Sequence, residues 1–235
     1  MQVTSDESID AIKAKLENPI LDFCTSIDGG SDLVRIGKDA RAYGLHKLAN
    51  PIKNIGISTG FPLYDDFIGG GVRADSVNVI AARAKCGKSQ ICANMGINIA
   101  YCGFPVLYLD TEMVTKDQTD RILSRLSNIE NRRISMNLPG HTEQEGKQFL
   151  DACDKLEKLP FTHVDVRHME FEEAIALARR WLFKEVGFEN GLAKPGVIVY
   201  DYLKLMNSQP ISKNVADYQA LGFVTTTLKN FMGRY

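Results

Sequence analysis

Short apolar segments alternate with amphipathic segments from residue 76 onward, and this alternation restricts the possible folds more than any other feature of the sequence. The apolar segments are typical of strands buried on both faces, and the amphipathic ones carry apolar side chains at helical spacing. Strands separated by helices pair in parallel, because each helix returns the chain to the same end of the sheet. We therefore predict an α/β fold with a doubly wound, mainly parallel sheet flanked by helices.

The bounds of the predicted elements follow from the same patterns. A further helix is predicted at 7–27, before a Gly-bearing stretch, so the chain is divided into a short helical N-terminal arm at 1–54 and a main domain at 55–235. Within the main domain, strands are predicted at 76–82, 105–110, 161–166 and 197–205, and helices at 88–101, 115–129, 142–157, 171–186 and 215–232.

Composition excludes several classes of protein. With 28 basic and 29 acidic residues the net charge is −1, so any contact with nucleic acid must be local. The five cysteines are odd in number and lack CxxC spacing, which predicts reduced thiols; a metal site is the alternative. No apolar run approaches the roughly 18 residues of a membrane helix and no signal peptide is evident, so we expect a cytoplasmic protein without a membrane partner.

The segment "AARAKCGKSQ", residues 81–90, has the pattern of a phosphate-binding loop between a strand and a helix. Gly87 lets the backbone approach a phosphate, Lys88 can reach the β- and γ-phosphates, and Ser89 offers a hydroxyl to Mg²⁺. Ala82 stands where such loops usually have their first glycine. That glycine only eases a turn, so the loop tolerates the alanine. The predicted nucleotide-binding residues are Ala82, Arg83, Ala84, Lys85, Cys86, Gly87, Lys88, Ser89 and Gln90.

Acidic residues lie near the carboxyl ends of two predicted apolar segments. Asp201 ends "VIVYD" and could hold Mg²⁺ through water, although aspartates also end strands for structural reasons. Glu112 follows the strand at 105–110 and could polarise an attacking water, a role for which Asp110 competes. The structural alternative is that one of these two acids caps the next helix. His163 and the other histidines have no acidic partner at ligand spacing, so we expect them to be structural or exposed.

Four segments in order resemble the hexameric replicative DNA helicases of the DnaB type, particularly phage versions. These are "STGFPLYDDFIGGG", "VIAARAKCGKS", "LYLDTEM" and "VIVYDYLKLM", and the resemblance covers residues 55–235. It implies a RecA-like ATPase core, with subunits arranged in a ring around single-stranded DNA and nucleotide at each subunit interface. In such a ring, ATP hydrolysis drives translocation and the unwinding of duplex DNA during replication.

The resemblance also implies roles for particular residues. It favours Glu112 as the catalytic base, and Lys88 with the loop amides as the phosphate contacts. Ser89 and Asp201 would place Mg²⁺, and Lys213, in "NSQPISKNVAD", would contact the DNA backbone. The implied cofactors are ATP, or another NTP, and Mg²⁺. The implied partners are single-stranded DNA, further copies of the chain in a hexamer, and a primase or helicase loader, in the host cytoplasm if the chain is phage-encoded.

Two other functions remain open for a chain with these motifs. One is a RecA- or RadA-type recombinase ATPase, and the other is a nucleotide-binding scaffold or loader that does not hydrolyse ATP. The resemblance further implies a strand after Tyr235, placed between the phosphate-loop strand and the Asp201 strand. We therefore expect these 235 residues to be a partial sequence, since a parallel sheet without that strand would expose apolar edges.

Overall fold

The chain divides into two units, residues 1–52 and 53–235. A computed structural model describes residues 36–52, 55–138, 140, 142–203 and 217–233. In the first unit, helix α1 (Ala40–Ala49) leaves the apolar side chains of Tyr43 and Leu48 exposed. The helix predicted at 7–27 lies outside the described residues.

The second unit carries the alternation of strands and helices. Its elements are α2 (Pro62–Phe67), α3 (Lys88–Tyr101), β1 (Val106–Asp110), α4 (Thr115–Ser127), α5 (Asn131–Ser135), α6 (Glu143–Glu157), β2 (Phe161–Asp165), α7 (Phe171–Trp181) with a π-helical turn (Leu182–Val186), β3 (Phe188–Glu189), β4 (Leu192–Ala193), β5 (Val197–Asp201) and α8 (Asp217–Met232). The predicted helices are recovered to within a few residues, apart from the π-helical end of the one at 171–186. Within the described residues, no helix is both long and apolar enough to cross a bilayer.

Three parallel strands form the sheet, in the order β2–β1–β5. Val106 begins the central strand and lies opposite the first residues of β2 and β5. At the other end of the strand, Asp110 lies opposite Asp165 and Asp201. The predicted parallel α/β sheet is therefore confirmed, and it brings three carboxylates to one edge.

The two faces of the sheet pack against different helices. Leu107 and Leu109 face α7 and α8, where they contact a core that includes Trp181. Val106 packs on the opposite face, against Ile99 of α3 and its neighbours. Because side chains alternate along a strand, every second residue of β1 after Val106 points to the α3 face. The helix that follows the predicted phosphate loop is thus on the same face as the strand-end acids.

The strand predicted at 76–82 is the main correction to the predicted fold. Residues 76–83 pair with no strand among the described residues, and Val79 is 66% exposed. A strand is defined by the hydrogen bonds that it exchanges with a neighbour, and apolar composition cannot supply that neighbour. The segment still leads directly into the loop before α3, as predicted.

Within residues 55–72, the buried carboxylate of Asp65 holds the segment that precedes α2. Asp65 accepts hydrogen bonds from the hydroxyls of Ser58, at 2.6 Å, and Thr59, at 2.7 Å, and from the Thr59 amide at 3.0 Å. The Thr59 carbonyl in turn accepts a hydrogen bond from Asn98 of α3, at 2.8 Å. This segment is therefore tied to the helix that follows the phosphate loop.

Replacing Asp65 with asparagine should lower the free energy of unfolding at pH 7 by about 1.5–3 kcal/mol, because an amide N–H₂ would oppose the Ser58 or Thr59 donors. Burial raises the pKa of the Asp65 carboxyl, but the hydrogen bonds from Ser58 and Thr59 outweigh it and lower the pKa. A lowered pKa stabilises the fold above the unfolded value of 3.8, and this stabilisation is lost as pH falls through the folded value.

Urea unfolding followed by circular dichroism at pH 7 and near pH 3 measures both effects. The exposed Asp66 provides the matched control, since Asp66→Asn should change stability little. The difference between Asp65→Asn and the wild type should shrink at the lower pH. A loss equal to that of the control at pH 7 would contradict the role given to Asp65.

Candidate functional site

The predicted phosphate loop is exposed along residues 81–87 and ends where helix α3 begins at Lys88. Gly87 has φ 89° and a β-carbon there would meet open space, so glycine is required by the backbone conformation and not by crowding. Lys85 also has a positive φ, of 62°. The first amides of a helix have no carbonyl partner within it, so the start of α3 presents free N–H donors. Within the loop, the Cys86 amide donates to the Arg83 carbonyl at 3.3 Å. This geometry suits an anion.

Lys88 and Asp201, which were predicted to belong to one site, lie next to each other. The Lys88 ammonium is 3.2 Å from Oδ1 of Asp201 and 4.1 Å from the centre of the Tyr202 ring. Asp201 is 3% exposed, whereas the Lys88 side chain is 24% exposed. The end of β5 and the start of α3 therefore bring opposite charges together beside the loop.

Tyr108 connects this pair to Ser89, and sequence reasoning missed it. Its hydroxyl donates to Oδ2 of Asp201 at 2.7 Å and lies 3.4 Å from the Ser89 carbonyl oxygen. Burial, and then the charge of Asp201, raise the pKa of Tyr108, so the hydroxyl keeps its proton and remains a donor. The only signal in the sequence was that Tyr108 lies two residues before the strand-end acid Asp110, on the strand next to the one that ends in Asp201.

The donor set of this site fits a hard cation such as Mg²⁺. Oδ1 of Asp201 is buried and accepts no hydrogen bond, although the Lys88 ammonium is within ion-pair distance. Among the described residues, no group of three or more His, Cys, Asp or Glu side chains could hold a metal ion alone. A cation beside Ser89 and Asp201 would therefore need oxygens from phosphates and water to complete its coordination.

The two acids after β1 have different surroundings. Asp110 is buried, and its Oδ1 accepts hydrogen bonds from the amides of Glu112, at 2.8 Å, and Met113, at 2.7 Å. Burial raises the pKa of Asp110, but the hydrogen bonds from His163 and the two amides outweigh it and lower the pKa. Asp110 is thus an ionised acceptor that holds the turn, whereas the Glu112 side chain is exposed. Neither acid caps the next helix, since the N-cap of α4 is Val114 and no side chain hydrogen-bonds there; Asp110 holds the turn before the helix instead.

The remaining predicted residues fall into two groups. Residues Ala82 to Cys86 and Gln90 are exposed along the loop and the first turn of α3, next to Lys88 and Ser89. Lys213 lies outside the described residues. The cysteines within the described residues, Cys86, Cys92, Cys102 and Cys153, are free. Cys24 lies outside the described residues.

A family model described as "DnaB-like helicase C terminal domain" matches residues 56–233. A probable replicative DNA helicase of Trieres chinensis is 29% identical over 187 residues, covering 79% of this chain and 38% of that protein. The replicative DNA helicase DnaB of a Nostoc species is 30% identical over 175 residues, covering 74% of this chain and 18% of that protein. The chain thus spans less than two fifths of the length of either relative.

A solved structure has a similar fold. It is that of a DnaB-like replicative helicase, described with its interactions with primase, and it superposes with a TM-score of 0.68 at 16% sequence identity. The match covers 94% of this chain and 51% of that one. At this identity the likeness establishes the fold alone, which is the α/β architecture predicted from the sequence.

Proposed function

Because this chain belongs to the family of DnaB-like helicase C-terminal domains, we propose that it hydrolyses ATP to move along single-stranded DNA and unwind duplex DNA during replication. The observation that carries the proposal is the 3.2 Å contact between Lys88 and Asp201 beside an exposed loop that opens a helix. Phosphoryl transfer requires two protein charges close together, a cation and an acid. Here Lys88 comes from the loop and Asp201 from a strand end.

Each residue of the site has a distinct role in this proposal. The amides of residues 82–90 and the Lys88 ammonium bind the phosphates, which replace Asp201 as the partner of Lys88. Ser89 and Asp201 would hold Mg²⁺, which would offset the negative charge that builds up on the phosphate oxygens. Tyr108 holds Asp201 in place through its 2.7 Å hydrogen bond. Glu112 accepts a proton from the attacking water.

The proposal extends to partners. The near-neutral charge of the chain suits a ring that contacts DNA through a few loops in its channel and not over its whole surface. Lys213 is our candidate for contact with single-stranded DNA, and six copies of the chain form the proposed ring. A primase is a proposed partner because the solved DnaB-like helicase is described with its interactions with primase. We also propose a cytoplasmic location, in the host cell if a phage encodes the chain.

The first test locates the nucleotide without requiring hydrolysis. ATP at ten times its dissociation constant should slow the alkylation of Cys86 about tenfold, because the bound phosphates cover the loop in proportion to occupancy. Cys102 is also exposed, but lies after the last residue of α3, about 20 Å along the helix, so its rate should not change. Iodoacetamide labelling with peptide mass spectrometry measures both rates in one sample.

Two features sharpen this labelling experiment. Burial, and then the charge of Asp201, raise the pKa of Cys92 to about 11, so this thiol stays protonated at neutral pH and reacts slowly. Lys88→Ala removes a phosphate contact and should reduce the shielding of Cys86 at the same ATP concentration. Equal labelling of Cys86 with and without ATP would place the nucleotide elsewhere.

The second test separates the helicase from its alternatives. DNA-stimulated ATPase activity and unwinding of a forked duplex are measured together, with Lys88→Ala as the inactive control. A helicase shows both activities. ATP hydrolysis without unwinding, with filaments on DNA, would indicate a recombinase, and shielding of Cys86 without hydrolysis would indicate a scaffold or loader.

A further inference from the structure

His163 lies between the two ends of the turn that carries Glu112. Its Nε2 atom is 3.5 Å from Oδ2 of Asp110, the last residue of β1, and its Nδ1 atom is 3.0 Å from Oγ1 of Thr115, the first residue of α4. The His163 side chain is 6% exposed and the Asp110 side chain is 2% exposed. The sequence shows no acidic partner for His163, because 53 residues separate it from Asp110.

The chemistry of the neighbouring groups determines which ring nitrogen of His163 donates and which accepts. An ionised carboxylate can only accept hydrogen bonds, so Nε2 carries the proton that faces Asp110. In the neutral ring Nδ1 is then an acceptor, and the hydroxyl of Thr115 donates to it. The ring also stacks on Tyr108, with the ring centres 5.8 Å apart. His163 is therefore held by three groups from two different elements.

These contacts restrain the turn through Asp110. One oxygen of this carboxylate accepts the amides of Glu112 and Met113, and the other faces His163. Without His163, the Asp110 carboxylate could rotate about its side-chain torsions, and the amides that donate to it would move as well. Thr115, at the far end of the turn, would lose its partner in the same step.

We propose that His163 is a positioning residue for Glu112, which acts by holding Asp110 and Thr115 at the two ends of the turn. This inference rests on the proposed ATPase function, in which Glu112 contacts the attacking water. A general base must lie within hydrogen-bond reach of that water, and a displacement of about 1 Å can cost on the order of 10²-fold in rate.

The test compares two replacements that keep different parts of the histidine. His163→Phe keeps a ring that can stack on Tyr108 but has no donor, whereas His163→Gln keeps a donor near the position of Nε2. For the phenylalanine variant we expect kcat for ATP to fall about tenfold or more, with KM within about twofold of the wild type. The glutamine variant should recover part of the loss.

A second readout is independent of catalysis. Hydrogen exchange at the amides of Glu112 and Met113 should be about tenfold faster in His163→Phe than in the wild type, because their acceptor is no longer restrained. Thr115→Val removes the other contact of the imidazole, the one between Nδ1 of His163 and the Thr115 hydroxyl. Because Thr115 is exposed, this variant leaves the core intact. It should speed the same two amides to a smaller extent.

The outcomes separate the inference from the function that it rests on. A wild-type chain without ATPase activity would contradict the proposed function, and the exchange rates would then decide alone whether His163 holds the turn. In an active chain, His163→Phe with unchanged kcat, or with lower kcat but unchanged exchange at both amides, would overturn the inference. Recovery by glutamine together with slowed exchange would support it.

Discussion

Replacing Glu112 with glutamine should lower the kcat for ATP hydrolysis by about 10²–10⁴-fold while the affinity for ATP stays within about twofold. Glutamine keeps the size of the side chain and can still orient a water molecule, but it cannot accept its proton. Glu112 lies outside the phosphate loop on an exposed turn, so the contacts proposed for the phosphates are unchanged. Unwinding of a forked duplex should be lost in parallel.

Steady-state ATPase assays with an independent measurement of nucleotide affinity give both quantities. Asp117→Asn removes another exposed carboxylate near the start of α4 and should leave kcat within about twofold, which makes it the matched control. A Glu112→Gln protein with kcat within tenfold of the wild type would remove Glu112 from its role. The base would then have to be sought elsewhere, beginning with Asp110.

Replacing Trp181 with alanine should lower the free energy of unfolding by about 3–5 kcal/mol. Trp181 is 5% exposed and belongs to the core that packs α7 and α8 against Leu107 and Leu109 of β1. A domain of this kind is stable by about 5–15 kcal/mol in total, so this one change removes a large share of the margin. The melting temperature should fall by roughly 6–20 °C.

Trp181→Phe separates packing from hydrogen bonding at this position. Nε1 of Trp181 is buried and has no hydrogen-bond partner among the described residues, so removing it leaves no acceptor unpaired. The phenylalanine variant should therefore cost only about 1–2 kcal/mol, for the lost volume. Thermal and urea unfolding followed by circular dichroism compares the variants. If the free energy of unfolding of the alanine variant were within about 1 kcal/mol of the wild-type value, the packing described for Trp181 would be contradicted, because such core truncations cost several kcal/mol.

Periodicity was sufficient to predict the elements that pack locally. Lys88 and Thr115 begin helices as predicted, and the start of α6 is confirmed by the hydrogen bond from the Glu145 amide to Thr142, at 3.2 Å. The β3–β4 hairpin was missed although its signal was present. Asn190 and Gly191, between the two strands, both have positive φ, as a type I′ turn requires.

Features that depend on distant partners could not be predicted in the same way. Residues 76–82 have the composition of a strand, but whether they pair depends on another part of the chain. The roles of Asp110, Tyr108 and His163 depend on which strands are neighbours and on their register, and neither is encoded in local spacing. The phosphate-loop motif and the strand-end acids were predictable because their spacing and their position at a strand end mark them locally.

The order of the strands in the sheet also determines when the domain can fold during synthesis. The central strand β1 is made first, but Tyr108 and its partner Asp201 are 93 residues apart in sequence. At about 5–20 residues per second, a ribosome needs roughly 5–20 s to complete β5 after β1. Leu107 and Leu109 wait still longer for their full cover, because α8, which helps to bury them, follows β5 in the chain.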